Sequence, residues 1–372
     1  MPRRAEFIPY TPKTILNKGK RADHWFWTRY SAYPYKGCQH GCAFCYCREQ
    51  KYSPYDDMDD FATVIQVKQN AAALLRRALE RVPVDIVFTG DYQALERKFM
   101  ISRQMLEVCL ELGFPVFVLE RSPLVLRDLD LLTAIQAKAP SVVAFSIIYT
   151  HDSPDAGRLR QIERLAPPPE KRFEAMREFA RAGILTGTSF MPVLPGLCDT
   201  PANLESVVRW TADAGGQFVL AGGLTLHDQQ RQFFMNVLGR LCPELVPVYE
   251  KLYPPGSYGM AGDKWRDTAR RVRELCVRFG IRDRIPRPII PGDKRALNKR
   301  IVETLAEQCY TLELEGKLES MVWENRKAAW AIEDLEQDVR LVYRQMGLKG
   351  LQSIPGLSPA LAKTVEKLVL AG

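Results

Sequence analysis

The chain has 372 residues, 46% of them hydrophobic and 26% charged, with a formal net charge of +8. This length and composition predict two or three domains with a sizeable core. There is no apolar signal segment at the N-terminus and no long uncharged apolar run, so we expect a cytoplasmic protein that neither leaves the cell nor spans a membrane. Nine cysteines without a signal peptide are typical of a reducing compartment.

The chain opens with a polar, proline-containing stretch, residues 1–24, which predicts an extended N-terminal arm. Residues 25–33 are rich in aromatic side chains and predict the first strand. That strand would lead into three closely spaced cysteines, Cys38, Cys42 and Cys45, in a C-x3-C-x2-C pattern.

Three thiolates so close together suit a soft metal centre. They are one ligand short for a [4Fe–4S] cluster, so one iron would stay open to another molecule. The alternative is a structural zinc site, with His40 or Cys47 as fourth ligand, but no second C-x2-C pair follows. The other five cysteines are isolated among apolar or helical residues and predict core thiols.

The spacing, with the aromatic Phe44 just before the third cysteine, resembles the radical S-adenosylmethionine (SAM) superfamily. The resemblance implies a [4Fe–4S] cluster held by Cys38, Cys42 and Cys45, with SAM bound at its open iron. It also implies cleavage of SAM to a 5′-deoxyadenosyl radical.

Beyond the cysteines, short apolar runs alternate with helical patterns. We predict strands at 85–89, 116–119, 142–148, 184–191 and 217–221, and helices near 69–81, 102–112, 124–137, 170–182 and 202–214. Such alternation indicates a parallel sheet with right-handed crossovers. The predicted fold class is α/β: a partial (β/α)6 barrel over residues 25–225, with its site at the carboxyl ends of the strands.

Residues 35–225 resemble the spore photoproduct lyase-like branch of the superfamily more specifically. The matching segments are 35–46, 91–98, 121–128, 182–184 and 192–199. The lyases carry a hydrogen-donating cysteine just after the second strand, and Phe88 falls at that position here. The substrate and the hydrogen donor therefore do not carry over.

Polar residues at the strand ends supply the candidate site. We predict that SAM contacts come from Phe44, Thr89, Gly90, Arg121, Ser122, Ser146 and Thr188. A glycine at position 90 lets the backbone approach a ligand, and Arg121 suits the SAM carboxylate. For handling the substrate radical the candidates are Tyr46, Cys47, Asp91 and Tyr92.

Residues 226–296 predict a basic helical extension and linker. Residues 256–300 alone hold 13 Lys and Arg against 5 Asp and Glu. A basic amphipathic helix is predicted at 264–279. A charge cluster of this kind suits a polyanion partner, although a solvated helical face would have the same composition.

Residues 297–372 predict a helical domain that ends in a helix-hairpin-helix. The hairpin would offer backbone N–H groups to a DNA phosphate. The predicted DNA-binding residues are Ile354, Gly356, Leu357, Ser358 and Lys363. This stretch resembles the N-terminal lyase-type domain of DNA polymerase X family proteins, but the family's Schiff-base lysine falls on Thr364, so we expect DNA binding without lyase activity. A protein-docking module is the alternative.

Together these features predict a monomeric radical SAM enzyme that acts on DNA, with repair of a damaged base or photoproduct favoured over routine modification. Taking a base out of the stack costs less when it is damaged. An electron donor such as flavodoxin or ferredoxin would reduce the cluster. The alternatives are modification of RNA or protein, with the tail as a docking module, and a non-enzymatic DNA-binding protein with a structural cluster.

Overall fold

A computed structural model describes residues 5–371, so the first four residues of the predicted arm and the last residue of the tail lie outside it. The strands of the described chain are β1 (Glu6–Tyr10), β2 (Asn17–Lys18), β3 (Tyr30–Ser31), β4 (Tyr35–Lys36), β5 (Val64–Lys68), β6 (Val87–Thr89), β7 (Val116–Glu120), β8 (Ser141–Ser146), β9 (Leu185–Val193) and β10 (Val219–Gly223). The helices are α1 (Ala71–Leu79), α2 (Glu96–Phe99), α3 (Ile101–Leu112), α4 (Leu129–Gln136), α5 (Ala156–Ile162), α6 (Pro169–Arg181), α7 (Pro201–Asp213), α8 (Asp228–Leu241), α9 (Val246–Leu252), α10 (Lys264–Arg278), α11 (Ala296–Leu314), α12 (Glu319–Glu333), α13 (Val339–Gln352) and α14 (Pro359–Ala371).

Six parallel strands form the main sheet, and they are adjacent in chain order: β3, β6, β7, β8, β9 and β10. The short β2 pairs antiparallel with β3 at one edge. Helices fill the connections between successive parallel strands. The predicted partial (β/α)6 barrel, followed by C-terminal helices, is confirmed.

Successive side chains of a strand point to opposite faces of the sheet, and this decides which of them enter the barrel. In β7, Val116 and Val118 pack with the surrounding helices, whereas Phe117 belongs to an inner apolar cluster. In β8, Val143 likewise packs outward and Ala144 inward. Because both faces are covered, these strands are apolar throughout, which made them easy to predict.

The first predicted strand is much shorter than expected. Within residues 25–33 only Tyr30 and Ser31 are in the sheet. The carboxylate of Asp23 accepts hydrogen bonds from the backbone N–H groups of Trp25, Phe26 and Thr28 at 2.8, 2.7 and 3.0 Å. These bonds hold the aromatic stretch in a turn.

Two features escaped the sequence analysis. The N-terminal arm contributes β1 to a second, three-stranded sheet of order β1–β5–β4, where β1 runs parallel to β5. Residues 226–252 lie in the predicted helical extension and form α8 and α9, two helices whose positions were not predicted individually.

The C-terminal helices share a core with the barrel. Side chains of α11, α12 and α14 join an apolar cluster that includes Ile86, Phe117, Val142 and Phe218, residues that stand just before or near the amino ends of the parallel strands. The helical tail therefore lies at the end of the barrel opposite the carboxyl strand ends. The predicted domain boundary near 296 stays a prediction. No helix within residues 5–371 is long and apolar enough to cross a bilayer.

Candidate active site

The three-cysteine loop connects β4 to the barrel at the carboxyl ends of the strands. Two glycines with positive φ, Gly37 (82°) and Gly41 (59°), bend the chain around it. The N–H of Cys38 donates to the carbonyl of Phe61 at 2.8 Å, and the N–H of Ala43 donates to the carbonyl of Ile162 at 3.0 Å. The loop is thus fixed by backbone contacts to two other segments.

All three thiols are free and face one region. Burial raises the pKa of the Cys42 thiol to about 11 and also raises that of Cys38 well above its usual value. A hydrogen bond from the thiol of Cys47 lowers the pKa of Cys45 to about 7. Buried thiols in mutual electrostatic contact are costly to ionise unless a cation or metal cluster is present.

Three free thiols in mutual electrostatic contact are a donor set that fits an iron–sulfur cluster. Within residues 5–371, no group of three or more His, Cys, Asp or Glu side chains is placed to hold one metal ion. A tetrahedral zinc site requires its ligands to converge on one point. A cube takes one thiolate on each of three different irons, so its ligands can stand further apart.

The predicted SAM residues Phe44 and Arg121 lie together beside the cysteines. The carbon atom of the Arg121 guanidinium is 5.0 Å from the centre of the Phe44 ring. The guanidinium also forms an ion pair with the buried carboxylate of Glu163, which in turn accepts from Arg172 at 2.8 Å. This network around Glu163 was missed, because nothing near residue 163 in the sequence indicates a functional role.

Thr89 and Gly90 end β6 at the same edge. The Thr89 side chain is buried, and its hydroxyl has no hydrogen-bond partner in the described part of the chain. Gly90 has φ of 104°, and a Cβ there would stand 2.9 Å from Val118 Cγ1. An unpartnered buried hydroxyl beside an obligatory glycine is what a ligand approached closely by the backbone requires.

Asp91 faces the cysteine loop. Burial raises its pKa to about 7. The amide of Gln93 donates to Asp91 Oδ2 and to the carbonyl of Gly37, each at 3.0 Å, while Gln93 Oε1 accepts from the N–H of Gln39 at 2.8 Å. Asp91 is therefore tied to the loop, and Gln93, which was not predicted, makes the connection.

The predicted Tyr46 and Cys47 follow the third cysteine in a short 3-10 helix, Tyr46–Arg48. The Tyr46 side chain is 50% exposed, and its ring lies 5.5 Å from that of Tyr52. Tyr33, which the sequence did not single out, lies within electrostatic reach of Cys47 and Asp91, and burial raises its pKa.

Known proteins resemble this chain in both sequence and fold. Residues 33–207 match the radical SAM superfamily. An uncharacterized protein of Mycobacterium tuberculosis is 31% identical over 259 residues, covering 68% of this chain and 74% of that protein. The chain belongs to the radical SAM superfamily. Membership implies a [4Fe–4S] cluster and SAM as cofactors of a radical SAM enzyme.

Two further similarities are more distant. A radical SAM Nalpha-GlyT isomerase of Pseudomonas phage M6 is 26% identical over 220 residues, covering 57% of this chain and 42% of the phage protein. The structure of a spore photoproduct lyase complexed with dinucleoside spore photoproduct superposes with a TM-score of 0.52 and 14% identity, covering 73% of this chain and 79% of the lyase. At that identity the likeness shows a shared fold alone.

Three of the predicted site residues in this radical SAM domain contact other parts of the structure and not the site. The Tyr92 side chain is fully buried, and its hydroxyl donates to Asp128 at 2.8 Å, within an ionic network on the outer side of the sheet. The hydroxyl of Thr188 is 2.6 Å from that of Thr211 on α7. The Ser122 hydroxyl caps residues 123–128 by accepting from the N–H of Leu124 at 3.2 Å. These contacts give all three residues packing or capping roles.

Two other predicted positions stay near the site. The Ser146 hydroxyl donates to the carbonyl of Met191 at 3.3 Å across β8 and β9. Phe88, at the position of the lyase cysteine, stacks on Phe117 inside the barrel at 5.2 Å.

The predicted DNA-binding hairpin packs largely against its own chain. Ile354 and Leu357 are buried in the core. Gly356, with φ of 96°, faces α12, where a Cβ would meet the carbonyl of Lys327 at 3.4 Å. The Ser358 hydroxyl caps α14 by accepting from the N–H of Leu361 at 3.3 Å. Only Lys363, which is exposed, presents a side chain to solvent.

The basic helix α10 also makes mostly internal contacts. Arg273 pairs with Asp283 at 2.7 Å, Arg278 pairs with Glu205, and Arg270 donates to the carbonyl of Leu314 at 3.1 Å. Much of the positive charge predicted to grip a polyanion therefore serves to dock α10 against its neighbours.

Proposed function

We propose that this protein is a radical SAM enzyme that acts on DNA and repairs a damaged base or photoproduct. The observation that carries the enzymatic part is the set of three free thiols beside Arg121 at the carboxyl ends of a partial (β/α)6 barrel. Cys38, Cys42 and Cys45 would hold the cluster. When bound, the cluster and SAM supply a carbon-centred radical that abstracts a hydrogen atom from the substrate.

The residues of the chain bind and orient around that centre. Arg121 keeps guanidinium N–H groups beyond its pair with Glu163, and these suit the SAM carboxylate. Phe44 offers a ring face below Arg121, and Thr89 offers its unpartnered hydroxyl. Asp91 stands at the same edge with a raised pKa, which suits a group that exchanges a proton or accepts a substrate hydrogen bond near neutral pH.

Phe88 leaves the hydrogen-donor position of the lyases filled by an aromatic ring. Cys47 and Tyr46, next to the cluster loop, are the candidate donors. Both lie at the mouth of the barrel, where Tyr46 is half exposed. Cys47→Ser and Tyr46→Phe should leave SAM cleavage intact and lower the yield of finished product, and unchanged yields in both would rule out this assignment.

A cationic cleft in the tail supports DNA as the partner. It measures about 460 Å³ and is lined by Lys294, Arg295, Arg340 and Arg344, with only Glu336 and Asp338 as acidic residues. Among the described residues, the side chains of Lys294 and Arg344 form no ion pair or hydrogen bond. Lysines and arginines without internal partners are the groups that neutralise phosphates.

Because the cleft is at the tail end of the barrel, it would contribute affinity and not chemistry. Lys294→Gln combined with Arg344→Gln should weaken binding of a duplex oligonucleotide and reduce the slope of log K against log salt by about 2. The matched control is Arg77→Gln with Lys138→Gln, two exposed cations elsewhere on the surface. If the slope of log K against log salt is the same in the two double variants, the cleft does not bind the DNA backbone.

The deciding experiment measures SAM cleavage after anaerobic reconstitution and reduction. Ultraviolet-irradiated duplex DNA, undamaged duplex DNA and RNA are compared as substrates. Stimulation by irradiated DNA above the other two supports repair. Equal or greater stimulation by RNA or undamaged DNA contradicts it.

A second candidate is an isomerisation, favoured by the similarity to the phage isomerase. It predicts a product with the same mass as its substrate. Mass spectrometry of the nucleosides released after turnover would test it, and a net change in mass would exclude it.

A further inference from the structure

Arg48 is a buried cation inside the cysteine loop. The residue is 2% exposed. Its guanidinium donates to three backbone carbonyls: to Cys42 at 3.0 Å, to Gly41 at 3.1 Å and to Met58 at 2.6 Å. It also lies near two rings, 4.0 Å from the centre of Phe233 on α8 and 4.4 Å from that of Phe61.

What distinguishes Arg48 from the other buried arginines is the lack of a carboxylate. Arg172 and Arg121 share Glu163, whereas within residues 5–371 no Asp or Glu forms an ion pair with Arg48. A buried charge without a counter-ion costs several kcal/mol. The three carbonyl oxygens and two ring faces offset part of that cost, and a negative charge nearby would offset more of it.

The nearby negative charge comes from the cysteines. Burial lowers the pKa of Arg48, and the thiolates of Cys45, Cys42 and Cys38, ahead of Asp59, act against that shift. Once they bind a cluster, these sulfurs carry permanent negative charge beside the guanidinium. In the loaded protein the cluster would therefore add a full counter-charge, whereas without it the charge of Arg48 is offset only by carbonyl oxygens, ring faces and Asp59.

We propose that Arg48 is the counter-ion of the iron–sulfur cluster and raises its reduction potential. The inference rests on the proposed function only in that the three cysteines bind the cluster. Reduction adds one negative charge to the centre, and a fixed cation in a low-dielectric site stabilises the reduced form more than the oxidised form. Charges and hydrogen bonds around ligating groups tune metal centres in this way.

Helix α8 holds this cation in place. Phe233 covers one side of the guanidinium, and the amide of Gln229 donates to the carbonyl of Arg48 at 3.0 Å. The neighbouring Gln230 donates to the carbonyl of Phe44 at 3.1 Å. One helix after the barrel thus fixes both the counter-ion and the cluster loop.

The test is a potentiometric titration of the reconstituted full-length protein, followed by electron paramagnetic resonance. Arg48→Gln should lower the ratio of reduced to oxidised cluster at least tenfold at a fixed potential, which is a midpoint about 59 mV more negative for one electron. Arg48→Lys keeps the charge, so its midpoint potential should stay within about 59 mV of the wild-type value. Arg273→Gln, which removes one partly buried positive charge far along the chain on α10, is the control and should not shift the midpoint.

A purely structural role would lower iron content without moving the potential of the clusters that form. If Arg48→Gln binds too little iron, Arg48→Met tests the same loss of charge while keeping side-chain bulk between the rings. A midpoint in the neutral variant equal to that of wild type overturns the inference. A wild-type protein that binds no iron would instead overturn the proposed function, so the two failures are distinguishable.

Discussion

Glu163 joins two guanidinium groups beside the cysteine loop, and its substitution should be among the most damaging in the protein. The side chains of Glu163 and Arg172 are fully buried, and that of Arg121 is 16% exposed. Within residues 5–371, Glu163 is the only carboxylate that either arginine contacts. Glu163→Gln removes it and leaves two like charges close together. Breaking a buried pair of this kind costs about 3–5 kcal/mol.

Urea denaturation measures this loss. For an unfolding slope of roughly 3 kcal/mol per M, a loss of about 3 kcal/mol lowers the midpoint by about 1 M. The control is Glu111→Gln, which breaks the exposed pair between Arg76 and Glu111 and should cost at most about 1 kcal/mol. A Glu163 variant no less stable than this control would refute the reasoning.

The effect should also depend on pH. Burial alone would raise the pKa of Glu163, but Arg121 and Arg172 outweigh it and hold the pKa below its usual value. A carboxylate with a lowered folded-state pKa adds stability above its unfolded pKa, about 4.3, and that stability is lost as pH falls through the folded value. The gap between wild type and Glu163→Gln should therefore be full at pH 7 and shrink below about pH 4.

Three further predictions follow from the placement of individual side chains. Replacing the three cluster cysteines by alanine should abolish iron binding after anaerobic reconstitution, while Cys47→Ser should retain it; loss of iron in the serine variant would make Cys47 a ligand. Tyr92→Phe should cost roughly 1–3 kcal/mol of unfolding free energy, because it leaves buried Asp128 without one donor. It should not change SAM affinity measured by calorimetry, and a weakened affinity would show that Tyr92 contacts the SAM site. Thr188→Val should cost about 1 kcal/mol through its lost bond to Thr211 and also leave SAM affinity unchanged, so a tenfold weaker affinity would contradict the outward placement.

The linear sequence determined most of the parallel strands and the spacing of the three cysteines. Five of the parallel strands were predicted within a few residues, because a strand covered on both faces is a short apolar run that can be recognised locally. Cys38, Cys42 and Cys45 stand out as candidate cluster ligands for a similar reason, since ligands within eight residues of one another depend on spacing and hardly on the rest of the fold. The same local reasoning predicted too long a first strand. There the backbone turns because its N–H groups donate to the side chain of Asp23.

Only the tertiary structure decided how side chains at the strand ends are used. Thr188 and Ser146 look equivalent in the sequence, but successive strand residues point to opposite faces, so one packs against α7 and the other lies near the barrel mouth. Glu163 meets Arg121 across 42 residues of chain, and α8 reaches the loop at Arg48 from 181 residues away. Contacts of that kind depend on how the crossovers stack, and no short stretch of sequence contains both partners.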